Sequence, residues 1–119
     1  MTVRVSRKSP LESVNDMKHL RDCFGREVRL TDERLAHILE HPEMKDMGPE
    51  IGRVLRQPQL VRRSRSDELV KLFYDVLPRT PVGSKWLCVV VKYIEESAFV
   101  VTAYLTDKPM AGEDLWPTE

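Results

Sequence analysis

Two histidines stand four residues apart in the segment Leu35–Pro42, just before a proline that ends a helix. Residues three or four apart on a helix lie on the same side, so Arg34, His37 and His41 are expected to form one stripe. A separate apolar stripe should face the core: Leu35, Ile38 and Leu39. Two imidazoles beside a guanidinium could bind a metal, do acid–base chemistry on a phosphate, or be solvated helix side chains.

The metal interpretation rests on the spacing His-x-x-Glu-His between His37 and His41, which matches inverted zinc proteases. A catalytic zinc needs a third protein ligand, and the remaining histidine, His19, is distant in sequence. Proteases of that class are also much larger than this chain of 119 residues. We therefore expect no metal site and no cofactor.

Metal-independent RNA cleavage is the second interpretation. It needs a base for the ribose 2′-hydroxyl, an acid for the leaving oxygen and cations for the charge on the phosphorane. Histidine suits the first two roles because it titrates near neutral pH. Arginine and lysine suit the third. The chain offers candidates for every role: His37, His41, Arg63 and Lys85, with Thr102 and Tyr104 as hydrogen-bonding partners.

Length and composition bound the organisation of the chain. Its 119 residues are 41% hydrophobic, which is enough for one domain with a single core. The 19 basic and 19 acidic residues cancel, so net charge does not point to a nucleic acid or a membrane. The N-terminus has no apolar signal core, and the longest apolar run is too short to span a bilayer. We expect a cytoplasmic protein without membrane attachment.

Helix signals precede strand signals along the chain. A capping box at Ser9–Glu12 predicts a helix that ends at Gly25. Residues 27–30 are typical of a short strand or an extended entry, and Thr31 or Asp32 caps the histidine helix that follows. A further helix lies between Pro49 and Pro58. Four segments rich in β-branched and aromatic residues follow: 60–64, 68–76, 85–94 and 98–106.

This order predicts an α+β fold in which N-terminal helices pack on one face of a four-stranded antiparallel sheet. We expect an N-terminal extension over residues 1–24 and the main domain over residues 25–119. A hairpin turn centred on Glu95–Glu96 would set the register of the last two strands. It would pair Lys85 with Thr106, Leu87 with Tyr104 and Val89 with Thr102.

That register places four polar side chains together on an open sheet face: Lys85, Thr102, Tyr104 and Thr106. The other face would hold the helices and would carry Trp86, Cys88, Val90, Phe99, Val101, Ala103 and Leu105. A slip of one residue would exchange the two faces. The alternative is an ordinary exposed sheet surface, because threonine and tyrosine are good strand formers.

Several short motifs between residues 25 and 116 carry a resemblance to a known family. They are Val28–Thr31, Glu33–Arg34, His37–Ile38, His41–Glu43, Leu55–Pro58, Lys85–Leu87, Thr102–Tyr104, Gly112–Glu113 and Leu115–Trp116. In their order and spacing the chain resembles the phage-associated branch of the barnase–EndoU–colicin–RelE-like nuclease superfamily. Its members share two helices followed by a four-stranded sheet and are typically metal-independent ribonucleases, often toxins.

The resemblance implies RNA cleavage by attack of the 2′-hydroxyl, with the histidine helix at the edge of the open sheet face. By that match His37 is the general acid or base, Lys85 and Arg63 hold the phosphate, and Thr102 and Tyr104 position it, so the expected catalytic residues are His37, Lys85, Thr102 and Tyr104. We expect Arg34, His41, Arg63 and Thr106 to bind the substrate. The match does not fix the role of His41, which could instead cap the end of the helix. The alternative is a catalytically silent binding domain on the same fold. The N-terminal helix would pack on the domain, pair two chains as a homodimer, or dock an antitoxin or immunity protein.

Overall fold

A computed structural model describes residues 17–118. Seven strands form one sheet: β1 (Met17–Arg21), β2 (Glu27–Thr31), β3 (Leu60–Arg63), β4 (Val70–Leu77), β5 (Lys85–Ile94), β6 (Ser97–Thr106) and β7 (Glu113–Trp116). Two α-helices, α1 (Asp32–Leu39) and α2 (Gly48–Arg56), are joined through a 3-10 helix over Pro42–Met44. Among the described residues, no helix has the length and apolar character needed to cross a bilayer.

The sheet is mixed, with the strand order β1-β2-β6-β5-β4-β3-β7. All neighbouring strands are antiparallel except β2 and β6, which are parallel. The expected four-stranded antiparallel sheet is therefore wrong, although β3, β4, β5 and β6 lie close to the four predicted segments. The predicted sheet leaves out β1, β2 and β7, which are short, with four or five residues each, although a short strand was one prediction for residues 27–30. Hydrogen bonding to neighbouring strands stabilises them, whereas their own sequences have no long run of alternating apolar and polar residues.

The end of the predicted N-terminal helix is a strand. Residues 17–21 pair with 27–31 in a hairpin, whereas residues 9–16 lie outside the described residues. Asp22 shapes the turn, because its Oδ1 accepts hydrogen bonds from the backbone N–H groups of Phe24 and Arg26 at 2.9 and 2.8 Å. Gly25 has φ +88°, a conformation that suits glycine. It therefore closes a hairpin turn rather than a helix, and the expected boundary after residue 24 falls within this turn.

Both α-helices pack on one face of the sheet. Their buried side chains meet those of the central strands in one cluster that includes Ile38, Met44, Ile51, Val54, Leu55, Phe73, Leu87, Val89 and Val91. The predicted cap of α1 is confirmed, since Thr31 Oγ1 accepts a hydrogen bond from the backbone N–H of Arg34 at 3.0 Å. Proline stands in the first turn of α2, as predicted.

The opposite face carries a smaller apolar cluster around the buried residues Leu72, Tyr74 and Cys88. The segment 107–112 leads from β6 to β7 and contacts this face on its way. The backbone N–H of Met110 donates to the Tyr74 hydroxyl at 3.0 Å, and Arg62 Nη1 donates to the carbonyl of Met110 at 2.8 Å. Part of the expected open face is therefore covered by the chain itself.

A β-bulge at Val101 overturns the expected register of the last hairpin. The turn lies where predicted, with Ile94 opposite Ser97, and pairing stays regular as far as Val91 and Val100. Val90 then pairs with Thr102, so Val101 is an extra residue on β6. The slip exchanges the faces of β5. Leu87 and Val89 face the helices, whereas Trp86, Cys88 and Val90 share the other face with Thr102, Tyr104 and Thr106.

Candidate nucleic-acid-binding groove

The exposed side of α1 carries the histidine that the sequence singles out. The His37 side chain is 61% exposed, and its Nδ1 lies 3.7 Å from Glu40 Oε1. This distance is too long for a hydrogen bond, so the imidazole remains available to a ligand. Arg34 stands one turn earlier on the same helix, as predicted.

His41 does not continue this helical stripe. α1 ends at Leu39, with Glu40 as its C-cap, and His41 has the extended angles φ −73° and ψ 125°. The expectation that His37 and His41 lie one turn apart on one helix is therefore wrong. The helical spacing of the zinc pattern is lost with it. Across residues 17–118, no three His, Cys, Asp or Glu side chains gather where a metal ion could be held.

β2 and β6 are joined by one residue pair, Arg29 beside Phe99. A cavity of about 370 Å³ lies against this junction and is lined by Met17, Arg29, Thr31, Arg34, Phe99, Val100 and Val101. We call it the β2–β6 groove. Its walls combine apolar side chains, one aromatic ring, one hydroxyl and two guanidinium groups. This is a surface on which a phosphate and an apolar ring can be bound side by side.

The register of five strands places Arg29 and Phe99 in one row across the face opposite the helices. The row runs through His19, Arg29, Phe99, Lys92 and Val70. The side chains of His19 and Lys92 each have a carboxylate partner within the protein. His19 Nδ1 is hydrogen-bonded to Glu27 Oε2, which lowers the pKa of that carboxyl group, and Lys92 Nζ donates to Asp67 Oδ2 at 3.0 Å. Phe99 is thus flanked by a cation on each neighbouring strand.

Several basic side chains on or near the sheet are paired with carboxylates. The ion pairs include Arg53 with Glu50 and Asp75, Arg62 with Asp114, Arg63 with Glu113, Lys85 with Asp107 and Lys92 with Asp67. Among residues 17–118, no carboxylate forms an ion pair with Arg29 or Arg34. Both also line the β2–β6 groove, and guanidinium groups match phosphate geometry, so Arg29 and Arg34 are candidates for phosphate binding there.

Lys85 lies outside the groove. It is on the helix-covered face at the start of β5, is hydrogen-bonded to Asp107 Oδ1, and lines a separate cavity with Glu43. The expectation that it shares a face with Tyr104 is wrong, because the bulge shifts the register. The hydrogen bond from Lys85 lowers the pKa of the Asp107 carboxyl group. Asp107 is eight residues beyond Phe99, roughly 26 Å along an extended chain.

Tyr104 and Thr106 face away from the helices, as expected, but at the far end of β6. Tyr104 is five residues, or roughly 16 Å, from Phe99 along the strand. Its hydroxyl donates to Met110 Sδ at 3.9 Å, and burial raises its pKa. Thr106 Oγ1 donates to the carbonyl of Lys108 at 3.2 Å. Both hydroxyls are thus used by the segment 107–112.

Arg63 and Thr102 complete the predicted set. Arg63 lies on β3 near the other edge of the sheet, where Nε donates to Glu113 at 2.9 Å and Nη1 to the carbonyl of Glu68 at 3.2 Å. Thr102 is half-buried and follows Val101, at the end of the groove. The structure therefore brings Arg34 and His37 together, leaves Thr102 nearby and places the others elsewhere.

The sequence interpretation missed Arg29 and Phe99. The expected register puts Phe99 on the helix-facing side because it contains no bulge, whereas in the structure Phe99 pairs with Lys92 on the opposite face. A signal for Arg29 was present, since Val28 and Leu30 flank it and are both buried. Alternation along β2 directs the arginine to the opposite face.

Compared with models of known protein families, with curated proteins and with solved structures, the chain has no match. The residues and geometry described above are therefore the basis for assigning a function.

Proposed function

We propose that the protein is a metal-independent endoribonuclease that binds RNA in the β2–β6 groove and uses His37 for proton transfer. One observation carries the proposal. Arg34 lines the groove, and His37 lies one turn further along the exposed side of the same helix. Side chains three apart on a helix have Cβ atoms about 5–6 Å apart. A phosphate held by Arg34 is thus within reach of the imidazole.

The proposed roles follow from the chemistry of each group. Arg29 and Arg34 hold the phosphate and balance the negative charge that grows on the phosphorane. His37 takes the proton of the ribose 2′-hydroxyl as its oxygen attacks phosphorus. The bond to the 5′-oxygen breaks, which leaves a 2′,3′-cyclic phosphate and a 5′-hydroxyl end. His41, which follows the end of α1, is the candidate for protonating the leaving oxygen.

The N-terminus of α1 supports a guanidinium-based site. Asp32 and Glu33 occupy its first turn, and Thr31 Oγ1 caps the Arg34 N–H. These acidic and capping groups compensate the partial positive charge at the helix N-terminus, so that charge attracts a phosphate only weakly. The arginine side chains have to supply the attraction.

The test is cleavage of a mixed RNA pool in EDTA by the wild-type protein and by His37→Ala. We expect wild-type cleavage with cyclic-phosphate ends and a loss of about 100-fold or more in the variant, the usual cost of removing a proton-transfer group. Arg56→Ala, an exposed basic position on α2, is the control and should cleave normally. Wild-type activity that survives His37→Ala, or that needs added zinc, would contradict the proposal.

RNA binding without cleavage is the second candidate. It is favoured by the positions of Lys85, Tyr104 and Arg63, which are held by other groups outside the groove. A binding domain needs the two arginines and Phe99 but no proton-transfer group. Affinity that depends on Arg34, without wild-type cleavage, would select this alternative.

A further inference from the structure

We infer that the ligand of the β2–β6 groove is single-stranded RNA and that Phe99 is the surface on which one unpaired base stacks. This inference rests on the proposed RNA function and identifies the form of RNA and a specificity residue. It is carried by the size of the groove and by the residues in register with Phe99.

The groove fits one nucleotide rather than a helix. Its volume of about 370 Å³ is near the lower end of the range of small-molecule sites, about 300–1,000 Å³. In an A-form duplex the bases are stacked on one another, and proteins contact mainly the phosphates and 2′-hydroxyls. A ring inside this groove can therefore meet only a base that has left the stack.

The neighbours of Phe99 are those that a single strand needs. Arg29 on β2 and Lys92 on β5 are its direct partners across the sheet. Lys92 is ion-paired with Asp67, so Arg29 is the partner that can meet a phosphate. Adjacent strands lie about 4.8 Å apart, so the backbones of Arg29 and Lys92 each lie about that far from the backbone of Phe99. Aromatic rings between cations are the common platform for single-stranded nucleic acids, because every base has a face that can stack. Thr31 adds a hydroxyl to the groove wall.

A purely structural role for Phe99 predicts different behaviour. The ring would then only cover the aliphatic stems of Arg29 and Lys92. Leucine would serve that role, because it keeps the apolar contact while removing the aromatic face. Phe99→Leu therefore separates stacking on RNA from packing within the protein.

The experiment measures binding of a labelled ten-nucleotide RNA, alone and annealed to its complement, to the full chain carrying His37→Ala so that no cleavage occurs. We expect the single strand to bind more tightly than the duplex. Adding Phe99→Leu should weaken single-strand binding about 5- to 150-fold, the range for losing one stacked base. Phe24→Leu is the matched control, because Phe24 is also partly exposed but lies against Phe73 and Trp116. It should bind like its parent.

Equal affinity for duplex and single strand would overturn the inference, as would normal binding by Phe99→Leu. These outcomes differ from failure of the proposed cleavage. A protein that binds single strands through Phe99 but cleaves no RNA supports this inference and contradicts the ribonuclease. A protein that binds no RNA contradicts both.

Discussion

Arg29 lies directly beside Phe99 across the parallel junction of β2 and β6. On either side of Arg29, Val28 and Leu30 are buried in the core, so the strand that carries the arginine is held firmly. β2 runs straight into the Thr31 cap and α1, which places Arg34 on the same groove. The core thus fixes the relative positions of two arginines that come from different elements.

Removing either arginine should weaken RNA binding and reduce its dependence on salt. Loss of one charged contact is expected to cost about 10- to 150-fold in affinity. For single strands, each lost phosphate contact should flatten the plot of log affinity against log salt by about 0.7. The measurement is a salt titration of RNA binding by Arg29→Ala and Arg34→Ala.

Arg65→Ala is the control for this titration, because Arg65 is exposed in the turn after β3. It should keep the wild-type slope. Equal losses in all three variants would indicate diffuse electrostatic attraction and would contradict a localised groove.

Tyr104→Phe and Lys85→Ala should leave the rate of RNA cleavage unchanged. Tyr104 is hydrogen-bonded to Met110, and Lys85 to Asp107, and neither side chain lines the β2–β6 groove. The measurement is the cleavage rate in EDTA, with circular dichroism to check folding. Removing a proton-transfer group lowers a reaction rate about 100-fold or more. A loss of that size in the cleavage rate of a folded variant would place the active site at the far end of β6 and contradict the β2–β6 groove.

Local signals predicted α1, α2 and the central strands because those signals act within a few residues. Thr31 caps α1 through its own hydroxyl, and proline at the first turn of α2 has the backbone angle that the helix requires. The strongly apolar β5 is buried between its neighbours, as its composition indicates. In these elements, local preference and tertiary packing agree.

The remaining features depend on contacts between distant residues. Leu20 fits the helical spacing that continues from Leu11, but it packs on the core from a strand, since residues 17–21 pair with 27–31. The extra residue Val101 has no sequence signal, yet it reverses which side of β5 meets the helices. The expected site depended on the register without a bulge. In the structure Lys85 lies on the helix-covered face, so that site does not form.

Alkaline titration should show no tyrosine that ionises near pH 10, where an exposed tyrosine titrates. Burial raises the pKa of all three phenols, that of Tyr74 to about 12 and those of Tyr93 and Tyr104 further. The unfolded chain therefore releases these protons at lower pH than the folded chain. Stability from the neutral phenols is complete below about pH 9 and declines as the pH rises through 10 and above.

The measurement is phenolate absorbance against pH, beside a sample unfolded in urea. The unfolded sample should titrate near pH 10, and the native one only as it unfolds. A full tyrosine equivalent that ionises near pH 10 with native circular dichroism would contradict the burial of that phenol.

Gly112→Ala should destabilise the fold, whereas Gly48→Ala should not. A Cβ at residue 112 would lie 2.5 Å from the carbonyl oxygen of Arg63, so β7 would have to move away from β3. The shift would also weaken the ion pairs of Arg62 with Asp114 and of Arg63 with Glu113, which join the same two strands. Overpacking of this kind costs about 1–3 kcal/mol. At Gly48, a Cβ meets no atom within 4 Å.

Urea unfolding of both variants measures the difference in the free energy of unfolding, and RNA binding supplies a second readout. β7 and β2 are separated by four strands of the sheet, so Gly112→Ala should lose stability but keep RNA affinity as long as it is folded. Equal stability of the two variants would show that β7 does not pack tightly on β3. A loss of RNA affinity in folded Gly112→Ala would place part of the binding surface at β7 and contradict the β2–β6 groove as the whole site.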